Sequence, residues 1–203
     1  MVIFSSRPIV LLLPLIPLLF LVSCTSSEPL SIKGNNIICF GDSLTFGTGA
    51  PRDKSYPARL SQMIGQPVIN AGIPGDTTSR ALLRLERDVL SKSPHIVLIT
   101  LGGNDLKNGV DKQTAFKNLK EIVEKIQARD ALVVISSISL LFWDRGYEAE
   151  YEKLAEETGA VLVPDILGGI MGHEGLMSDR IHPNGAGYEI MAQKFYQAIE
   201  PYL

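Results

Sequence analysis

The sequence is poor in cysteine, histidine and surplus charge. Of 203 residues, two are cysteine, three are histidine and one is tryptophan. Two cysteines cannot build a disulfide framework or a four-ligand zinc site. The histidines, His95, His173 and His182, are scattered, so neither a metal nor any other cofactor is expected. Lys and Arg number 19 against 22 Asp and Glu, a formal charge of −3. With no basic excess to displace counterions, nucleic acid is not expected as a partner. Internal repeats are absent, and the longest apolar stretch falls short of the ~20 residues a membrane-spanning helix needs. What remains, 45% hydrophobic and 20% charged, is the composition of an ordinary globular domain. At this size a domain buries roughly 70% of the surface of its unfolded chain and needs no cross-links.

The first two dozen residues need a separate reading. A single cation, Arg7, precedes an apolar run from Pro8 to Val22 that contains Pro14 and Pro17 and ends in Leu21-Val22-Ser23-Cys24. A cationic start, a short apolar stretch and a small residue before the cut form a secretory signal. The last four residues resemble the bacterial lipobox, in which the cysteine is acylated and becomes the new N-terminus. Residues 1–23 are therefore expected to be a lipoprotein signal peptide, 24–35 a lipidated tether attached at Cys24, and 36–203 one domain. Acyl chains contribute ~0.8 kcal/mol per buried CH₂, enough in pairs for stable membrane attachment. The expected location is the bacterial cell envelope, lipid-anchored and facing the periplasm. Thr25, where an Asp would retain the protein at the inner membrane, favours the outer one.

Beyond the tether, short apolar runs alternate with stretches of helical period. Asn36–Phe40, Val68–Asn70, Ile96–Leu101, Leu132–Ser136 and Val161–Val163 read as strands buried on both faces. Tyr56–Ile64, Thr77–Leu90, Gln113–Ala128, Tyr147–Thr158 and Ala186–Ile199 read as helices. Cys39 falls inside the first apolar run and reads as an inert core thiol. Strands alternating with helices imply right-handed crossovers and a mainly parallel sheet, covered on both faces, with its ligand site outside the carboxyl ends of the strands.

Four of those strand ends are rich in chemistry. The first runs into Gly41-Asp42-Ser43-Leu44 and the second into Ala71-Gly72-Ile73-Pro74-Gly75-Asp76. The third ends in Gly102-Gly103-Asn104-Asp105, and the fifth leads by a loop to Asp179-Arg180-Ile181-His182-Pro183. A serine hydroxyl needs a base to become a nucleophile, and imidazole, titrating near ~6.5, is a suitable one. Asp179 lies three residues before His182, so one helical turn would put both side chains on one side and let the carboxylate orient the ring. Ser43 N–H, Gly72 N–H and the Asn104 amide are the candidate donors to an oxyanion, with glycine at 72 admitting close approach of backbone to substrate.

The segments Phe40-Gly41-Asp42-Ser43-Leu44-Thr45, Asn70-Ala71-Gly72, Leu101-Gly102-Gly103-Asn104-Asp105 and Asp179-Arg180-Ile181-His182-Pro183-Asn184 resemble, in order, the four blocks of the GDSL or SGNH hydrolases. Asn-Ala-Gly-Ile-Pro-Gly-Asp-Thr-Thr and Leu-Gly-Gly-Asn-Asp-Leu are most similar to the branch of thioesterase I, lysophospholipase L1 and arylesterase. The resemblance implies a flavodoxin-like, three-layer α/β/α fold with a five-stranded sheet in the order 2-1-3-4-5. It also implies Ser43 as nucleophile, Gly72 and Asn104 as oxyanion donors and an Asp179–His182 pair as base. Ser137-Ile138-Ser139-Leu140-Leu141-Phe142-Trp143-Asp144 departs from that branch, in the loop that helps select the acyl group.

Other residues have plainer readings. Asp42, Asp76 and Asp105 are expected to brace or cap turns, with Asp76 before Thr77 as a helix cap. Leu140, Leu141, Phe142 and Trp143 form an apolar loop cluster that is either core or, with Ile170, Met171, Leu176 and Met177, the wall of an acyl pocket. The nucleophile segment lacks the second glycine of an α/β-hydrolase elbow. The resulting expectation is a serine esterase acting on small-molecule or lipid acyl esters or thioesters through an acyl-enzyme. The rivals are a polysaccharide or cell-wall O-deacetylase and a non-catalytic envelope lipoprotein with a relic site.

Overall fold

The apolar, β-branched runs become five strands: β1 (Asn36–Gly41), β2 (Val68–Gly72), β3 (Pro94–Thr100), β4 (Leu132–Ser136) and β5 (Val161–Val163). The computed structural model describes residues 1–2, 33–138 and 146–203. The expected signal segment, Cys24, most of the tether and Leu140, Leu141, Phe142 and Trp143 lie outside the described residues. The strands form one sheet in the order β2-β1-β3-β4-β5, and all four neighbouring pairs are parallel. Both the order and the orientation agree with the expectation.

Helices flank the sheet: α1 (Ser43–Phe46), α2 (Tyr56–Ile64), α3 (Thr78–Asp88), α4 (Gly103–Lys107), α5 (Lys112–Gln127), α6 (Tyr147–Thr158) and α7 (Gly185–Ile199). Successive strand residues point to opposite faces, and β1 shows the consequence. Ile38 and Phe40 enter the core under α3, α5 and α6, whereas Ile37 and Cys39 enter the one under α2 and α7. Both sides of the strand are fully apolar because both are covered. Cys39 is completely buried, and burial pushes its thiol pKa well above the ordinary value, consistent with an inert core residue.

The chain goes from β1 outward to β2, then back across β1 to β3. This reversal opens a crevice at the carboxyl ends of β1 and β3, where open α/β sheets bind ligands. Register aligns the edge there: Gly41 lies opposite Gly72 on one side and Thr100 on the other. Two elements at this edge, α1 and α4, have four and five residues, too short for a 3.6-residue period to register in the sequence. A third difference concerns α3. Its cap is Thr77, whose side chain accepts from Arg80 N, and not Asp76.

Candidate active site

Gly41 closes β1 with no room for a side chain: a Cβ there would lie 2.4 Å from Thr100 O. Asp42 follows, and its Oδ1 accepts from Leu44 N at 3.0 Å to start α1 at Ser43. A buried string of hydroxyls pins α1 to the sheet, running from Thr45 to Tyr56 (2.9 Å), Thr100 (3.4 Å) and Ser136 (3.3 Å). Ser43 is half-buried, and its backbone N–H makes no hydrogen bond among the described residues.

Asp179 and His182 meet Ser43 from the far end of the chain, though not by way of a helical turn. Residues 178–182 form a bend in which Asp179 Oδ1 accepts from both Ile181 N and His182 N at 2.8 Å. The loop is stitched at its base by Ser178 N to His182 O at 2.9 Å and by Asn184 Nδ2 to Gly175 O at 2.9 Å. Asp179 Oδ2 accepts from His182 Nδ1 at 2.7 Å, leaving Nε2 to accept from Ser43 Oγ at 3.1 Å. The bond to His182 and the two backbone donors pull the Asp179 pKa down to about 2. Gly49 permits this contact: it has φ +94°, and a Cβ would lie 2.8 Å from Pro183 O.

Two of the expected oxyanion donors, Gly72 and Asn104, are already engaged. The Gly72 N–H is not available, since it donates to Asn70 Oδ1 at 3.0 Å. Glycine at 72 serves packing, because a Cβ there would lie 2.2 Å from Phe46 N in α1. The free donor is three residues on. Asp76 N donates to Ile73 O at 3.1 Å with Gly75 at φ +74°, a type II turn with proline and glycine in its two central places. Gly75 is exposed, and among the described residues it has open space where a Cβ would stand and no hydrogen bond through its N–H. Pro74-Gly75 was the sequence signal for it.

The Asn104 amide donates to Asp42 Oδ2 at 3.1 Å and to Asp76 O at 2.9 Å. It therefore links Asp42, beside Ser43, to the Gly75–Asp76 turn, and both its protons are engaged. Asp42 is only 3% exposed. Burial pushes its pKa up to about 7, against the pull of the Leu44 N–H and with help from Asp76 and Asp105. Asp105 braces the start of α3, accepting from Thr78 Oγ1 at 2.7 Å and Thr78 N at 3.0 Å.

A mainly apolar cavity of about 380 Å³ adjoins the pair, lined by Met171, Met177, His173, Glu174, Asp179 and Arg180 together with Gly172. Met171 and Met177 are where an acyl pocket was expected. Leu176 and Ile170 are not: Ile170 is fully buried in the core and Leu176 packs against it. Phe46 and Ile181, not singled out in the sequence, are 40% and 42% exposed in the segments carrying Ser43 and His182. His95 lies in β3 and takes no part.

A hydroxyl, an imidazole and a carboxylate in line, at the carboxyl edge of a doubly wound parallel sheet, define an ester hydrolase of the three-layer SGNH kind. The chain belongs to the GDSL-like lipase/acylhydrolase family, whose model matches residues 39–190. It is 28% identical over 194 residues to the thioesterase 1/protease 1/lysophospholipase L1 of Escherichia coli K12, covering 92% of each chain. It is 32% identical over 197 residues to an arylesterase of Vibrio mimicus, covering 91% of this chain and 97% of that one. The crystal structure of TesA superposes with a TM-score of 0.79 at 28% identity, covering 83% of this chain and all of the other.

Proposed function

We propose that the protein is a serine esterase that cleaves carboxylic ester or thioester bonds through an acyl-enzyme on Ser43. The observation that carries this reading is the continuous Ser43 Oγ–His182–Asp179 relay, with links of 3.1 and 2.7 Å. Ser43 Oγ attacks the acyl carbon while its proton passes to His182 Nε2, and the Asp179 carboxylate stabilises the imidazolium. The oxyanion is held by Ser43 N–H, Gly75 N–H and the Asn104 amide. Collapse breaks the bond to the leaving oxygen or sulfur, which takes the proton from His182. Water then deacylates the enzyme, with His182 again the base. Losing one oxyanion donor typically costs ~2.7–4 kcal/mol of transition-state stabilisation.

The cavity beside Asp179 and the exposed Phe46 and Ile181 support an ester with an apolar acyl chain, and the Leu21–Cys24 motif supports a lipid anchor that keeps the enzyme beside such substrates. The leading substrates are accordingly lysophospholipids, other fatty-acyl esters and acyl thioesters at the periplasmic face of the envelope. The test is hydrolysis of p-nitrophenyl esters from acetate to palmitate by full-length protein in detergent, with Ser43→Ala as control. A maximum at medium or long chains that the variant abolishes is the expected result. Turnover of acetate alone would favour an O-deacetylase, and turnover surviving Ser43→Ala would sink the mechanism.

A further inference from the structure

Directly behind the nucleophile and the Gly75 turn lies a buried guanidinium. Arg84 projects from α3 and is 8% exposed. Its Nε donates to Asp76 Oδ2 at 2.7 Å, and its Nη2, at 2.7 Å from the same oxygen, donates to Gly41 O at 2.9 Å. Its Nη1 donates to Ala71 O at 2.9 Å and Asp88 Oδ2 at 3.1 Å. The guanidinium carbon sits 4.3 Å from the centre of the Phe40 ring.

We propose that Arg84 is a positioning residue for the oxyanion site, holding the Gly75–Asp76 turn in register with the strand end that delivers Ser43. Gly41 ends β1 and Ala71 lies one residue from the end of β2. One planar fork therefore ties together the two strands from which the nucleophile and the turn depart. Asp76 is the junction. Its carboxylate rests on Arg84, its carbonyl accepts from Asn104 Nδ2, and it directly follows Gly75. A shift of Asp76 would move the Gly75 N–H and the Asn104 amide together.

Burying a guanidinium is expensive unless every donor is matched, and an apolar filler is often equally stable. Here each nitrogen of the fork finds an acceptor, and together they connect the last residue of β1, the end of β2 and the Asp76 carboxylate through one side chain. Lysine cannot replace it: a point charge with three donors has no planar fork to span two strand carbonyls and a carboxylate.

The proposal rests on the Ser43 reading, and its test uses full-length protein with Arg84→Lys, Asp76→Asn, their double variant and Asp88→Asn. Arg84→Lys is expected to lower kcat by ~10–100-fold with KM changed less than about threefold. Affinity for an alkyl trifluoromethyl ketone, which forms an oxyanion with Ser43, should fall by the same factor as kcat/KM. Asp76→Asn should give a similar loss, and the double variant should be little worse than the poorer single one. Asp88→Asn, which weakens the Arg84 contact leading away from the site along with the exposed pair to Arg87, should keep kcat within twofold. A folded Arg84→Lys with kcat within threefold of wild type would overturn the proposal, as would a loss confined to KM with ketone affinity unchanged. Should Arg84→Lys fail to fold, Asp76→Asn decides alone, and kcat within threefold would overturn it. Turnover that survives Ser43→Ala overturns both readings, whereas turnover abolished there but untouched by Arg84→Lys and Asp76→Asn overturns this one alone.

Discussion

Asp179 grips His182 at two points: one carboxylate oxygen accepts from the ring Nδ1 at 2.7 Å, the other from the backbone N–H at 2.8 Å. The backbone bond sets where the ring begins, and the side-chain bond sets its tautomer, so Nε2 faces Ser43 as an acceptor. Asp179 itself is 54% exposed. An exposed carboxylate–imidazole hydrogen bond adds little stability, and the value of this one lies in orientation.

Replacing Asp179 by Asn should therefore cost activity without costing the fold. An amide in that place can donate to Nδ1, which turns the tautomer the wrong way. We expect kcat to fall by at least ~10²-fold, in the direction of the ~10⁴ known for such triads, with an unchanged melting temperature. With its pKa near 2, Asp179 stays ionised through mildly acid solution, so its grip on Nδ1 persists there.

Asp42 predicts a pH effect on stability. Burial raises its folded-state pKa from 3.8 to about 7. The native state thus binds this proton more tightly than the unfolded one. Stability from this group declines as pH rises from about 4 to about 7, and the penalty is complete above that. Asp42→Asn removes the titration and keeps a good helix cap. Its melting temperature relative to wild type should be higher at pH 8 than at pH 4, as thermal melts at both values would reveal.

Gly72 and Gly75 should respond differently to alanine. A Cβ at 72 meets Phe46 N at 2.2 Å and Thr45 C at 2.6 Å, both backbone atoms of α1. Gly72→Ala must displace α1, the helix that opens at Ser43, at a cost of about 1–3 kcal/mol or more. At 75 the space is open, and the cost is the φ of +74° alone, about 1–2 kcal/mol. Paired melts and kcat measurements should show the larger fall in melting temperature for Gly72→Ala. A larger fall for Gly75→Ala would contradict the packing role assigned to Gly72.

Filling the cavity beside Asp179 should shorten the preferred acyl chain. Met177→Trp is expected to lower kcat/KM for decanoate esters by ~10-fold or more while acetate changes little, in keeping with the few kcal/mol that apolar pocket contacts contribute. Equal losses on both esters would remove the cavity from the acyl site.

The amino-acid pattern by itself determined the layered parallel sheet and the residues gathered at its edge. Strand and helix periods are local, and a parallel sheet must deliver every strand end to one side. Ser43, Asp179 and His182 were legible for that reason, even though the Asp-x-x-His pair is closed by a side-chain-capped bend and not by helix. The tertiary structure alone decided which donors are free. Gly72 and Gly75 look alike in sequence, yet one N–H is held by Asn70 and the other has no partner among the described residues. Asp76 looked like a helix cap until Arg84, eight residues on, claimed its carboxylate. Met171 and Met177 line the cavity while Leu176, between them, packs inward. Periodicity is a property of neighbours along the chain. Hydrogen-bond occupancy and cavity lining depend on which distant atoms arrive, and only the assembled fold specifies that.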